Sequence, residues 1–205
     1  MFPRILKTQN SFSPYTLFMN KNCYNLALEL KQYLMSDYLL TQFPILQLPD
    51  YMENTFALHV NLLQQRLLNE KNTQSEKDID HLRFFLKTYV YSELANKYNE
   101  KYPADAFSEY FIENYQNRVE IMAPEFKILD NDMQTLQRDE IDENTRKFIR
   151  KFIFLNKIGI TNNIIQKYSN YVMAHMNYLH SLQYIDIMQY KIYWGMQEEL
   201  KQLNN

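Results

Sequence analysis

The stretch Thr161–Leu203 reads TNNIIQKYSNYVMAHMNYLHSLQYIDIMQYKIYWGMQEELKQL, and it decides the fold class. No Pro interrupts it, and Gly195 is its only glycine. Ile165, Tyr168, Val172, Met176, Leu179, Leu182, Ile185, Met188 and Ile192 recur at three- and four-residue spacing, the helical period rather than the strand period. Thr161 has the hydroxyl of an N-cap, and Gly159 just before it suits the end of a preceding helix. One helix over the whole stretch would be about 60 Å long at 1.5 Å per residue, about twice a small domain's diameter. Such a helix must lie along several others or against another protein. Its aromatic residues Tyr171, Tyr178, Tyr184, Tyr190, Tyr193 and Trp194 do not share one stripe. A helix apolar on many sides is normally covered on many sides, so these six are the candidate protein-interface residues.

Composition agrees with an all-α chain. Only two glycines occur in 205 residues. Glycine supplies the backbone of tight hairpins and phosphate loops, so its scarcity disfavours β-rich folds, Rossmann folds and P-loops. The periodic segments predict about seven helices with Pro and capping residues between them. Residues 1–12 read as an extended arm, and Ser13-Pro14 as a helix start running to about Leu40. Asp50 with Glu53 opens a helix ending near Glu70, and Ser75 or Asp78 opens another to about Tyr98. Pro103 marks a boundary between a helical region 13–101 and a second region 102–160. There, helices are expected over 105–122, from Pro124 through Leu136, and from Asp142 to Gly159.

Residues 101–157, KYPADAFSEYFIENYQNRVEIMAPEFKILDNDMQTLQRDEIDENTRKFIRKFIFLNK, resemble a high-mobility-group box. Lys101 and Pro103 fit the family's opening, Phe107, Tyr110 and Phe111 its aromatic positions, and Leu129, Met133 and Leu136 its second helix. The opening SFSPYTLFMNKN (11–22) is similar to the start of a second box. The resemblance implies three-helix geometry and, through the family, nucleic-acid association. The family's helix-two tryptophan is absent, with Met133 nearest to its place, and residues 104–157 carry more acids than bases. A minor-groove binder recovers the cost of bending DNA partly through phosphate contacts, which a net-negative segment forfeits.

No catalytic motif is present. His175 and His180 are five residues apart, about 140° around a helix, whereas zinc-binding helices space their histidines by four. Asp78-Ile79-Asp80-His81 reads as acids at a helix start. Cys23 is the only cysteine and reads as a small packed residue. No catalytic residue, cofactor-binding residue or metal ligand is therefore assigned. Net charge is −2, without the basic excess of a nucleic-acid binder. No run of 18 apolar residues exists to span a membrane.

From Met1 through Leu28 there is no Asp or Glu, while Arg4, Lys7 and Lys21 are basic and Thr8, Ser11, Ser13 and Thr16 carry hydroxyls. That composition marks mitochondrial targeting. Tyr contributes 17 residues, and tyrosine-rich surfaces are common at protein interfaces. The expectation is a non-catalytic accessory subunit of a mitochondrial inner-membrane assembly, a respiratory-chain or ATP synthase complex. It would sit on the matrix side or peripherally and act through contacts with other subunits. The alternatives are a nucleic-acid-associated box protein and a free-standing helical interaction protein such as a bacterial effector.

Overall fold

The computed structural model describes residues 21–47, 49–70, 73–91, 93, 108–189 and 192–195. The described residues are helical and turn structure with no strand, so the chain is all-α. The expected arm, the Ser13-Pro14 start, the Pro103 boundary, Tyr190 and the segment beyond Gly195 lie outside them.

The helix at the centre is α3, Pro49–Leu68. Pro49 stands at its first position, where a missing N–H loses no bond. Apolar side chains Tyr51, Phe56, Leu58, Val60, Leu62, Leu63 and Leu67 are buried, and so are Asn54, Thr55, His59, Asn61, Gln64 and Gln65 between them. A helix buried on every face is normally apolar all round. Here the polar positions are retained because the neighbouring helices supply hydrogen-bond partners. Asn61 donates to Ala57 O and Val119 O, and Asn54 donates to Ile153 O at 3.0 Å.

The other helices pack around α3. The first, α1 (Lys21–Leu34), is shorter than expected: the chain turns at Met35-Ser36 and resumes as α2, Asp37–Gln42. Ser36 Oγ donates to Tyr33 O at 2.5 Å, the side-chain-to-backbone bond through which serine competes with a helix ladder. A 3₁₀ turn over Pro44–Gln47 leads into α3. Next, α4 (Thr73–Phe85) begins two residues before Ser75 and continues as a π-helical turn over Leu86–Tyr91. It packs on α1 and α3.

The expected break at Pro124 is absent. A single helix, α5, runs from Ser108 to Thr135 with Pro124 inside it. Proline in a helix interior removes one i→i−4 bond and costs about 3 kcal/mol. Val119, Met122, Phe126 and Leu129 are buried on both sides of Pro124, so packing on one continuous face offsets that loss. The next helix, α6 (Arg138–Phe148), starts four residues before Asp142, with Glu140 Oε2 accepting from the Gln137 N–H at 3.2 Å. A second π turn, Ile149–Ile153, extends it. Then Leu155 and Asn156 adopt positive φ (52° and 54°) and Gly159 takes φ 100°, the reversal the glycine suggested.

The long terminal helix is also corrected. Thr161 caps α7 as expected, its Oγ1 accepting from the Ile164 N–H, but α7 ends at Ser181. Leu182 and Gln183 are extended, α8 spans only Tyr184–Met188, and residues 192–195 are non-helical. The cause is tertiary. Arg66 of α3 donates from Nε to Leu179 O at 2.9 Å and from Nη2 to Leu182 O at 2.6 Å, satisfying carbonyls that a continuing helix would have used. The chain then doubles back along α7, where Tyr193 N–H donates to Tyr178 Oη at 3.0 Å. Residues before and after the undescribed 94–107 segment share one hydrophobic core.

Candidate functional site

Burial sorts the six expected interface residues. Tyr171, Tyr178 and Trp194 are buried in the protein's own core, Tyr184 is half-buried, Tyr193 is exposed and Tyr190 lies outside the described residues. The aromatic ring around this segment is therefore covered in large part by the chain itself.

Tyr171 sits in a buried polar network that links α1, α3 and α7. Tyr33 Oη lies 2.8 Å from Tyr171 Oη, which lies 2.5 Å from His59 Nε2, and His59 Nδ1 lies 2.7 Å from Thr55 O. Donor roles follow by elimination. A carbonyl only accepts, so His59 Nδ1 carries the proton. The neutral ring then accepts at Nε2, so Tyr171 donates there and accepts from Tyr33. Beside this chain, Tyr168 donates to Thr55 Oγ1 at 2.7 Å. Burial pushes the Tyr168 and Tyr171 hydroxyls up, keeping both protonated.

Trp194 closes the network. Its ring stacks between Tyr33 (5.7 Å, 22°) and His175 (5.4 Å, 19°). His175 Nδ1 donates to Tyr171 O at 3.0 Å, so its Nε2 presents a lone pair. That atom and Trp194 Nε1 have no hydrogen-bond partner among the described residues. Burial pushes His59 down to about 3 and His175 down to about 4, so both rings are neutral at physiological pH. Both are fully buried. The network can lock three helices in register.

His180 is separate from it, as the five-residue spacing implies. Its Nε2 meets Asp130 Oδ1 at 2.7 Å, and Asn69 donates to Asp130 Oδ2 at 3.0 Å. Burial works to raise the Asp130 carboxyl, but these hydrogen bonds outweigh it and the carboxyl is held below its ordinary value.

A second cluster joins residues far apart in sequence. Asp78 and His81, three residues apart on α4, share one side of that helix. Cys23 of α1 faces them, its thiol donating to Asp78 O at 3.4 Å. The Cys23 sulfur, an Asp78 carboxylate oxygen and a His81 ring nitrogen all lie within 4.8 Å of one another. Cys23 and Asp78 are buried and His81 half-buried. The Asp78 carboxylate is oriented by Gln74, which donates to Oδ1 at 3.0 Å, and by the Tyr184 hydroxyl, which donates to Oδ2. Burial, then the charge of Asp78, pushes the Cys23 thiol far up, so it is no activated nucleophile. Reading 78–81 along the chain as a helix start missed this grouping, because its third member is 55 residues away.

On the outside, Ile121 and Ile128 of α5 stand 65% and 57% exposed, one heptad apart with the exposed Pro124 between them. Ile128 borders a cleft between α5 and the α6 segment, floored by Leu129, Phe148 and Phe152. Glu125 and Lys151 pair across it at 2.7 Å. No family model, curated protein or solved structure matches this chain.

Proposed function

We propose that this protein is a non-catalytic accessory subunit of a larger assembly and acts through protein–protein contacts. The observation that carries the reading is the outward face of α5. Ile121 and Ile128, both more than half exposed, extend an apolar strip to the Phe148 and Phe152 cleft. Contiguous exposed apolar surface is the usual mark of an interaction site. The acid-free residues 1–28 support a mitochondrial setting, at an inner-membrane respiratory or ATP synthase complex. Among the described residues no helix is long and apolar enough to cross a membrane, so attachment would come from partner subunits.

The test is native-gel fractionation of mitochondrial extracts with mass spectrometry, comparing the natural chain with Ile121→Glu/Ile128→Glu. The natural chain should co-migrate with a complex far above its own 25.0 kDa, and the variant should fall to the monomer position while keeping its helical circular dichroism. Migration of the natural chain alone, or its absence from mitochondria, overturns the reading. A nanomolar, salt-dependent complex with duplex DNA would replace it with the nucleic-acid alternative.

A further inference from the structure

We propose that Cys23, Asp78 and His81 form a binding site for a transition-metal ion of the zinc class, which clamps α1 to α4. The donor set selects the ion. A thiolate and an imidazole suit borderline and soft cations, while magnesium and calcium demand all-oxygen shells. A thiolate and a carboxylate together carry two negative charges, matching one divalent ion in a buried place. Three protein ligands leave a fourth tetrahedral position, and half-buried His81 marks the side on which an ion and a water can enter.

The distances are compatible. Ligands at about 2.0–2.3 Å from a tetrahedral zinc stand about 3.5 Å from one another. The present spread of up to 4.8 Å closes by side-chain rotation, with both helices in place. Binding expels the thiol proton to solvent and exchanges the Cys23 contact with Asp78 O for a metal–sulfur bond. The supporting shell already exists. Metal-ligating carboxylates are typically held by further hydrogen bonds, and Gln74 and Tyr184 hold Asp78. Tyr184 is the positioning residue, and it ties the site to α8 beyond the break in the terminal segment.

The test uses the full chain, freed of metal by chelator and titrated with Co²⁺ as a spectroscopic probe. Because Cys23 is the sole cysteine, any thiolate-to-cobalt charge-transfer band in the near ultraviolet reports this residue. Expected are that band, intense visible d–d absorption of tetrahedral cobalt, saturation at one ion per chain, and displacement by Zn²⁺. C23S should abolish the charge-transfer band. H81Q changes the half-buried ligand and bears least on folding. It should weaken binding by at least about a hundredfold, and Y184F, which touches only the supporting shell, by about tenfold. Zn²⁺ should raise the melting temperature of the natural chain but not of H81Q. If folded natural chain shows only the weak spectrum of hydrated cobalt, or if H81Q binds as the natural chain does, the site does not exist.

Discussion

Acidification between pH 7.5 and 5 should destabilise this protein through two histidines alone. In the unfolded chain His59 and His175 titrate near the ordinary value of about 6.5. In the folded protein burial holds them down to about 3 and about 4, the backbone bonds to Thr55 and Tyr171 only partly opposing it. Below 6.5 the unfolded state therefore binds protons that the folded state refuses, and stability must fall as pH falls. At pH 5 each histidine lies about 1.5 pH units below its unfolded value and above its folded one. At about 1.36 kcal/mol per unit that is about 2 kcal/mol per ring, or about 4 kcal/mol for both. Of the typical 5–15 kcal/mol of a domain, this is a large share. Urea unfolding at pH 7.5 and pH 5 measures it. His175→Phe keeps the stack on Trp194 and removes one titrating ring, so its loss over the same interval should be about 2 kcal/mol. The depressed carboxyl of Asp130 acts only near and below the ordinary carboxylate range and does not blur this window. Stability that is flat or rising from pH 7.5 down to 5 would refute the buried neutral histidines.

Three further perturbations address the same framework. Tyr171→Phe removes the hydroxyl that donates to the buried His59 Nε2 and accepts from Tyr33; calorimetry should record a loss of about 1–3 kcal/mol, against none if the network is incidental. Arg66→Met keeps the aliphatic stem but removes the donors to the Leu182 carbonyl and to Leu179 O, which retains only the Leu182 N–H; this should cost about 2–3 kcal/mol and speed amide exchange over 182–189, and unchanged exchange there would separate the arginine from the helix end. Pro124→Ala restores the missing N–H on an exposed position of α5, so the melting temperature should rise, by about 1–3 kcal/mol in stability, and a fall would mean that the proline shapes the helix to its groove.

The helical class was legible because it rests on local chemistry: period, glycine scarcity and caps such as Thr161. The buried half of the α7 stripe, from Ile165 to Leu179, was legible for the same reason. What escaped depends on residues distant in sequence. Nothing near Ser181 forbids a longer helix; the stop is written in Arg66, more than a hundred residues earlier. Pro124 carries a strong local break signal, overridden by apolar burial on both of its sides. His59 sits in an unremarkable polar position of its helix, and only Tyr171 gives it a role. Tyr171 was expected at an interface because hydroxyls suit wet edges, yet it is buried, and Tyr33, Tyr168 and Tyr171 satisfy one another and their neighbours in the core.

The docking of Trp194 gives the protein an optical reporter of its own. It is the single tryptophan, so steady-state emission excited at the red edge comes from one ring, held between a tyrosine and a neutral imidazole. Its emission follows the return of residues 192–195 onto α7, whereas circular dichroism follows the whole helical array. Cooperative unfolding makes the two signals coincide. If residues 192–195 peel away first, the fluorescence transition leads the ellipticity, and the gap between the midpoints measures how firmly Trp194 is latched on α7.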